Sequence, residues 1–350
     1  MIKVGTFFSG IGSPEQALIN LGINHEIEFA CDIDKYARQI YEKNFNCKNI
    51  YKDITKLNMI DLPPVDLLVF GFPCQSFSIA GRRGGFEDTR GTLFYDALRY
   101  LKEHKPNYFI AENVKGLVNH DKGKTLRTIL DCLAKTENKQ MMIYPYDNLG
   151  YNIYYKVLNT KDFGLPHNRE RVFIVGIKDD VDFKFPEKKI LTKKLNHFLQ
   201  DSVDEKYNLS DKMISGFNKH KNRNKKLGNG FGWNPTEGDV VANCIDTKEG
   251  SRPQNNFIIT HSLYPRSSKT GKRGTGHLTK KDGTVYCLDT SNNQAIETNN
   301  RIRKLTPIEC ERLQGFPDNH TEGVSNTQRY KQLGNTISVP VIESILKQLL

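Results

Sequence analysis

The protein has 350 residues, of which 37% are hydrophobic and 26% are charged, and its mean hydropathy is -0.58. This length predicts one large α/β domain or two unequal domains and excludes a disulfide-stapled peptide scaffold. No apolar run approaches the roughly 20 residues that a membrane-spanning helix needs, and the apolar start of the sequence is too short for a signal peptide. We therefore expect a cytoplasmic protein without a membrane segment.

The seven cysteines are an odd number, and no two of them form a CxxC pair. This pattern argues against a disulfide framework and against a zinc site, so we expect no metal. In a reducing cytosol a cysteine taken alone is most often a small buried residue, and only its position gives it a chemical role.

The positive charge is concentrated in one segment of the sequence. The formal net charge is +11, and residues 212–281 contain ten Lys and four Arg against four acidic residues, a net +10. The segment is rich in Gly, Asn and Ser, and aromatic residues are interleaved in it. This composition is typical of loops that contact phosphates and bases, so it predicts a nucleic-acid partner. A solvated basic loop without a partner explains the charge run equally well.

Apolar and β-branched runs recur along the first half of the sequence, mostly separated by stretches compatible with helices such as 92–103 and 125–135. This alternation predicts a largely parallel, doubly wound α/β sheet, in which ligands bind at the carboxyl ends of the strands. The runs are 2–8, 27–30, 65–70, 108–111, 153–158 and 172–177.

A glycine turn follows the first run and leads into a helix that we expect to begin near Pro14. Asp32 follows the second run. Together they are typical of a site for an adenosine ribose, as in NAD or S-adenosylmethionine. The turn lacks the third glycine of GxGxxG, so a plain tight turn is an equally good interpretation.

A thiol, a carboxyl group and two arginines are expected at the same edge of the sheet. Cys74 follows the third run and Glu112 the fourth. Arg169 and Arg171 stand at the start of the last run, which reaches this edge if its strand is antiparallel. These groups, beside an adenosine-type cofactor site and a basic nucleic-acid surface, suggest methylation of a poorly nucleophilic ring carbon such as C5 of a cytosine. Adding a thiolate to C6 of the cytosine lets C5 attack a methyl donor. A carboxyl group whose pKa is raised by burial then shares a proton with N3, and an arginine stabilises charge on O2.

In their residues and their order, these motifs closely resemble those of the C5-cytosine DNA methyltransferase family. The resemblance covers nearly the whole sequence. It includes the cofactor turn at 8–12, the nucleophile motif at 71–78, the acid motif at 112–114, the arginine motif at 168–171, and C-terminal motifs at 303–317 and 332–336. It implies a Rossmann-like methyltransferase sheet with a smaller, loop-rich target-recognition domain.

The resemblance implies that S-adenosyl-L-methionine is the cofactor, with Asp32 on its ribose and Ile33 against its adenine. In the family the position of Ile33 is usually aromatic, so the adenine platform is smaller here. The residues assigned to the cofactor are Phe8, Gly10, Ile11, Gly12, Asp32, Ile33, Asp53, Ile54, Pro73 and Asn335.

The resemblance also implies that Cys74 is the nucleophile toward a cytosine flipped out of double-stranded DNA, with Glu112, Arg169 and Arg171 as the other catalytic residues. It further implies a mobile loop from residue 75 to about residue 93 that would close over the base, and Ser78 in this loop is assigned to DNA contact. Position 167 is His where the family usually has Gln. The predicted base-reading residues are Arg252, Arg266 and Arg273, because a planar guanidinium can form two hydrogen bonds with guanine.

The expected organisation is a catalytic domain over 1–190, a target-recognition domain over 191–324 and a C-terminal segment over 325–350 that returns to the catalytic domain. We expect a monomer of the restriction-modification type, with a cognate restriction endonuclease acting on the same DNA site. A nicotinamide-dependent oxidoreductase explains neither the placement of Cys74 and Glu112 nor the basic segment. A DNA-binding module without activity would be expected to have lost one of the catalytic residues. A transfer-RNA methyltransferase of the same family would use identical chemistry, and the long basic segment favours DNA.

Overall fold

A computed structural model describes residues 1–73, 93–141, 148–208, 260–262, 294–298 and 301–350, with four single positions between 210 and 219. The protein forms two compact units. The first comprises Met1–Leu158, Glu170–Glu187 and Val341–Leu350, and the second comprises Asn159–Arg169 and Lys188–Pro340. The division at residues 190 and 324 stays a prediction.

One large sheet organises the described part of the protein, with its strands in the order β3-β2-β1-β4-β5-β9-β8-β6-β7. Strands β1 to β5 pair in parallel and β9 pairs antiparallel with β5, which confirms the predicted largely parallel α/β sheet. The strands are β1 (Ile2–Phe7), β2 (His25–Cys31), β3 (Ile50–Tyr51), β4 (Leu67–Gly71), β5 (Tyr108–Val114), β6 (Ala134–Glu137), β7 (Gln140–Met141), β8 (Tyr151–Asn159) and β9 (Glu170–Ile177).

The helices fall between these strands and after them. The two helices expected over 92–103 and 125–135 are observed within two residues of those bounds. The α-helices are α1 (Ser13–Asn20), α2 (Lys35–Asn44), α3 (Leu93–His104), α4 (Lys124–Leu133), α5 (Pro307–Gln314), α6 (Asn326–Asn335) and α7 (Val339–Leu349). Short 3₁₀ helices span Ile54–Lys56, Met59–Asp61, Thr160–Phe163, Leu195–Phe198 and Glu205–Tyr207, and Lys115–Gly123 contains 3₁₀ turns interrupted by a kink at residues 120–122.

Aromatic side chains fill the core beneath the first strands. The rings of Phe7 and Phe29 lie 5.1 Å apart between centroids, and Tyr100 of α3 packs 5.2 Å from Phe29. All three are almost fully buried. Burying such a side chain contributes about 1.5–3 kcal/mol, so this cluster fixes the strands whose ends carry the predicted site.

The second unit contains a three-stranded antiparallel sheet of β10 (Thr260–Ser262), β11 (Gln294–Thr298) and β12 (Arg301–Lys304). Next in sequence, a capping box begins α5: the Thr306 hydroxyl accepts from the backbone of Glu309, whose carboxylate accepts from the backbone of Thr306. Arg303 also pairs with that carboxylate at 2.6 Å. Within the described residues, no helix is long and apolar enough to cross a membrane, and no group of three metal-ligating residues comes together.

Candidate active site

The turn after β1 is built from residues in the left-handed conformation. Phe8, Gly10 and Gly12 have φ values of 53°, 55° and 83°. A Cβ on Gly12 would lie 2.0 Å from the Phe45 ring, so only glycine fits there. The turn is also tied to the end of β2, because the Ser9 N–H donates to the Cys31 carbonyl at 3.1 Å and the Cys31 N–H donates to Ser9 Oγ at 2.8 Å. The result is a fixed backbone surface at the carboxyl end of β1.

Asp32 connects this turn to β2. Its Oδ2 accepts from the Gly10 N–H at 2.8 Å, and its Oδ1 accepts from the Asp34 N–H at 2.8 Å. Burial raises the pKa of Asp32 above its ordinary value, and the two backbone hydrogen bonds act in the opposite direction. Asp32 thus has a structural role in the turn, beside the predicted role at a ribose.

The other predicted cofactor residues of the first unit follow the neighbouring strands. Ile33, after β2, is 66% exposed, an unusual degree for an isoleucine, whereas Ile54 is buried in the core. Asp53 caps the short helix that begins at Ile54, with Thr55 N–H as a donor at 3.1 Å. The Thr55 hydrogen bonds are the main reason why the pKa of Asp53 lies below its ordinary value. Pro73, after β4, is exposed. The parallel pairing of β1 to β4 therefore places these residues along one edge.

Glu112 and Arg171 meet at the same edge, on β5 and β9. Glu112 is 8% exposed and lies opposite Gly71 of β4 in the register. Because β9 runs antiparallel to β5, it begins at this edge, with Arg171 opposite Val114. Arg171 Nε lies 3.1 Å from Glu112 Oε1. The structure thus pairs the predicted acid with one of the two predicted arginines.

Asn113 holds the backbone that leads to the predicted nucleophile. Its Nδ2 donates to the Phe72 carbonyl at 2.8 Å, and its Oδ1 accepts from the Val114 N–H at 2.8 Å. Cys74 itself lies outside the described residues, two positions after Phe72. The sequence interpretation included Asn113 in the acid motif without giving it a role.

Arg169 has different partners from Arg171, although the two stand in one motif. Its Nη1 donates to the Gly334 carbonyl at 3.1 Å and its Nη2 donates to the Thr336 carbonyl at 2.6 Å, both within the second unit. These two carbonyls flank Asn335, whose side chain is exposed. The structure therefore places Arg169 beside the last predicted cofactor residue.

His167 is fully buried in the second unit. Its Nδ1 lies 2.8 Å from the Leu313 carbonyl at the end of α5. The carbonyl can only accept, so Nδ1 carries the proton in this contact. The residue that departs from the family pattern thus packs inside the unit, next to the arginine motif.

The sequence interpretation missed Glu15, which lies beneath the cofactor turn. Its side chain is 0% exposed, and its Oε1 accepts from Thr6 Oγ1 at 2.9 Å and from the Tyr41 hydroxyl at 2.5 Å. Burial is the largest effect on Glu15 and raises its pKa above the ordinary value. A Glu in the first turn of a helix is usually a surface residue at the positive end of the dipole, so the sequence carries no signal for its burial.

Several predicted residues lie outside the described part of the protein. They are Cys74, Ser78, Arg252, Arg266 and Arg273, together with nearly all of the loop predicted over 75–93 and most of the basic segment. Their assignments stay predictions.

The protein is a doubly wound α/β protein that carries a glycine turn and an acid–arginine pair at one edge of its sheet. The family model of the C-5 cytosine-specific DNA methylases matches residues 2–350, and the protein belongs to this family. It is therefore an enzyme, a DNA (cytosine-5-)-methyltransferase, and the oxidoreductase interpretation is excluded.

Curated relatives match the protein over its whole length. The type II methyltransferase M.NlaX of Neisseria lactamica is 37% identical over 355 residues, which span 100% of this protein and 96% of that one. The type II methyltransferase M.HpaII of Haemophilus parainfluenzae is 39% identical over 98% of this protein and 87% of its own length. The crystal structure of the S. pombe Dnmt2 methyltransferase has the same fold, with a TM-score of 0.63 at 20% identity over 100% of this protein and 98% of that one.

Proposed function

We propose that the protein transfers a methyl group from S-adenosylmethionine to C5 of a cytosine flipped out of a specific duplex DNA sequence, through a covalent bond between Cys74 and C6. The observation that carries the proposal is the pair formed by buried Glu112 and half-buried Arg171, on strands β5 and β9 next to the end of β4, after which Cys74 follows in sequence. A buried carboxyl group fixed by a guanidinium is suited to holding a proton at a defined ring nitrogen.

The residues at the ends of β1 and β2 fit the cofactor. Each Asp32 oxygen accepts one backbone N–H, which leaves acceptor capacity for the ribose hydroxyls, since an ionised carboxylate has about four acceptor sites. The exposed apolar side chain of Ile33 offers a surface for an adenine ring. When bound, S-adenosylmethionine supplies an electrophilic methyl group, and the fixed turn at residues 9–12 sets the close backbone approach that such a ligand needs.

The side chains at the other end of the edge carry the proposed chemistry. The Cys74 thiolate forms a bond to C6, the electron pair of the C5–C6 double bond moves to the C4–C5 bond, and N3 takes a proton from Glu112. C5 then forms a bond to the methyl group as the bond between that methyl and its sulfur breaks, and the neutral thioether leaves. Water removes the proton on C5, the C5–C6 double bond re-forms and the Cys74 thiolate leaves, while N3 returns its proton to Glu112, so both side chains are regenerated. Arg171 orients Glu112 and stabilises charge at O2. Asn113 is a positioning residue for the backbone before Cys74.

The target base must leave the duplex, because C5 cannot be reached in this way inside the base stack. We propose that the loop over 75–93 closes over the flipped base with Ser78 against DNA, and that residues 191–324 form the target-recognition domain. Arg252, Arg266 and Arg273 read bases there.

Replacing residues 191–300 with those of a relative of different specificity should move methylation to the sites of that relative, and unchanged sites would contradict this division.

The names of the relatives bear on the biological setting. M.NlaX and M.HpaII are called type II methyltransferases. We propose that this protein acts in the cytoplasm as a monomer and protects DNA from a cognate restriction endonuclease of the same site.

A methyl-transfer assay tests the proposed function. Purified protein is incubated with S-adenosylmethionine labelled in its methyl group and with equal amounts of duplex DNA or RNA. The proposal predicts label in DNA, and sequencing after cytosine conversion should show 5-methylcytosine within one sequence context. Label confined to RNA, or methylation indifferent to sequence, would contradict it.

A further inference from the structure

The backbone of Phe8 is strained. Phe8 is the first residue of the turn at residues 8–12, the cofactor turn, and its φ of 53° lies in the left-handed region. This region is unfavourable for a bulky side chain, which stays there only where the surrounding structure imposes it. Phe8 stands directly after β1, at the edge where a doubly wound sheet binds its ligands. Strain of this kind is typical of functional sites, so the contacts that impose it are candidates for a role in binding.

Thr6 and Ser9 hold the backbone on either side of Phe8. Ser9 Oγ donates to the Thr6 carbonyl at 3.0 Å and accepts from the Cys31 N–H at 2.8 Å. The two hydroxyl oxygens of Thr6 and Ser9 lie 2.9 Å apart. Both side chains are buried. They therefore close a short loop across Phe8 and tie it to the end of β2.

This pair of hydroxyl groups is anchored on the carboxyl group of Glu15, in the first turn of α1. Glu15 Oε1 accepts from Thr6 Oγ1 at 2.9 Å and from the Tyr41 hydroxyl at 2.5 Å. Tyr41 belongs to α2 and is almost fully buried. One carboxyl oxygen thus connects β1, through Thr6, with both of the helices that follow the first two strands.

The second oxygen of Glu15 shows that packing is not the purpose of this carboxyl group. Glu15 is 0% exposed, and its Oε2 has no hydrogen-bond partner among the described residues. A buried polar atom without a partner lowers stability, and an apolar side chain of similar size would avoid this cost. The hydrogen bond that Glu15 accepts from Thr6, two residues before Phe8, accounts for a glutamate at this position.

We propose that Glu15 is a positioning residue that holds the cofactor turn in the conformation that binds S-adenosylmethionine, by fixing Thr6 and Ser9 on either side of Phe8. The proposal rests on the proposed function, which places the cofactor at this turn. All of these contacts lie within the first unit. Because Glu15 acts through Thr6 from beneath the turn, its removal should change cofactor affinity and leave the chemistry at Glu112 intact.

Affinity measurements on the full-length protein test the proposal. Glu15→Met keeps the approximate size of the side chain and removes the acceptor, and titration calorimetry measures the dissociation constant of S-adenosylmethionine. This constant should rise about tenfold, the value of roughly one net hydrogen bond. The KM for the cofactor should rise by the same factor, while the single-turnover rate at saturating cofactor should stay close to that of the wild type.

Glu15→Gln is the rescue variant. It should recover most of the affinity lost in Glu15→Met, because its amide oxygen can accept from Thr6 as the carboxyl oxygen does.

Thr6→Val tests the same hydrogen bond from its other side and takes the place of Glu15→Met if that variant does not fold. It should weaken binding by a similar factor. The double variant should bind little more weakly than either single variant, because both changes remove one contact.

Glu28→Met is the matched control. Glu28 is also a buried carboxyl residue of the first unit, but it pairs with Lys3 and Lys48. Its replacement should lower stability without changing cofactor affinity. A Glu15 that only supported the fold would give the same result, so the contrast between the two Met variants separates positioning from stability.

Four results would overturn the proposal. The first is a folded Glu15→Met protein, or a Thr6→Val protein in its place, that binds the cofactor as the wild type does. The second is a Glu15→Gln protein that binds no better than Glu15→Met. The third is a pair of effects that multiply in the double variant. The fourth is a wild-type protein that does not bind S-adenosylmethionine, which would overturn the proposed function as well and is distinguished from the others by the wild-type titration alone.

Discussion

The predicted site lies along the edge of the large sheet where β1 to β5 end, and the two ends of this edge differ in the groups that form them. At the cofactor end, after β1 and β2, the surface consists of a left-handed turn held by backbone hydrogen bonds, with one exposed apolar side chain, Ile33. At the acid end, on β5 and β9, the buried carboxylate of Glu112 lies against the half-buried guanidinium of Arg171. We propose that the rigid turn at the cofactor end serves cofactor binding and that the charged pair at the acid end serves methyl transfer. Substitutions at the cofactor end should change affinity and stability, and those at the acid end should change rate.

Replacing Glu112 by Gln should have the largest effect on rate. Gln keeps the shape of the side chain and cannot supply the shared proton, so single-turnover methylation should fall about 10²- to 10⁴-fold while DNA and cofactor affinity barely change. Rapid-quench methylation assays measure the rate, and filter binding measures the affinity.

Glu137→Gln is the matched control. Glu137 lies at the end of β6, which is separated from β5 by two strands in the sheet order, and it pairs with Arg127 of α4. It should leave the rate as in the wild type. A Glu112→Gln enzyme with a near wild-type rate would make Glu112 a structural residue and would remove the contrast between the two ends.

Replacing Gly12 by Ala should cost the most stability at the cofactor end. The left-handed φ of 83° and the contact at 2.0 Å with the buried Phe45 ring together predict a loss of about 2–4 kcal/mol in the free energy of unfolding. Urea denaturation measures it. Gly22→Ala is the control, since Gly22 has a φ of +65° and nothing within 4 Å of an added Cβ. Equal losses in the two variants would show that crowding by Phe45 plays no part.

The buried carboxyl of Glu15 should make stability fall as pH rises. Burial raises its folded pKa above 4.5, so the folded protein keeps a proton that the unfolded protein loses. The protonated carboxyl therefore contributes fully to the free energy of unfolding below pH 4.5. As the pH rises from 4.5 to the folded pKa, the free energy of unfolding falls by at most about 1.4 kcal/mol per pH unit. Denaturation from pH 4.5 to 8 should show a flatter curve for Glu15→Gln than for the wild type.

Glu28 provides the opposite control. Burial acts to raise the pKa of Glu28, but hydrogen bonds from Lys48 and Lys3 outweigh it, so the folded pKa lies below 4.5. Glu28 therefore adds stability above pH 4.5 that is lost as pH falls, and Glu28→Gln should remove it. Parallel curves for Glu15→Gln and the wild type would contradict the assignment of a buried, protonated Glu15.

Enlarging the adenine platform should have the smallest effect. Ile33→Phe should tighten S-adenosylmethionine binding about 2- to 10-fold, since an aromatic contact adds about 0.5–1.5 kcal/mol. Titration calorimetry measures the change. Ile60→Phe, at an isoleucine of similar exposure in the same unit, should leave affinity unchanged. Equal affinity for Ile33→Phe and the wild type would mean that adenine does not rest on residue 33.

The features that sequence predicted best are those that depend on neighbours in sequence. The strand pattern and the helix over residues 93–104 follow from local periodicity, and the position of Glu112 at the edge follows from parallel pairing with β4. The partners of Arg169 could not be foreseen, because they are separated from it by 165 and 167 residues. Its spacing from Arg171 suggested one shared cleft, whereas packing gives the two guanidinium groups different neighbours. The burial of Glu15 depends in the same way on Tyr41, which a single sequence does not place.

Covalent trapping tests the central claim most directly. Duplex DNA containing 5-fluorocytosine at the target position blocks the final loss of the C5 substituent, so the Cys74–C6 bond should persist. With S-adenosylmethionine, the wild-type protein should form an adduct that survives denaturing electrophoresis, and peptide mapping should place the base on Cys74. Cys74→Ser should bind the same DNA and form no adduct, because a hydroxyl near neutral pH supplies almost no anionic nucleophile. An adduct that persists in Cys74→Ser, or one mapped to another residue, would contradict the account.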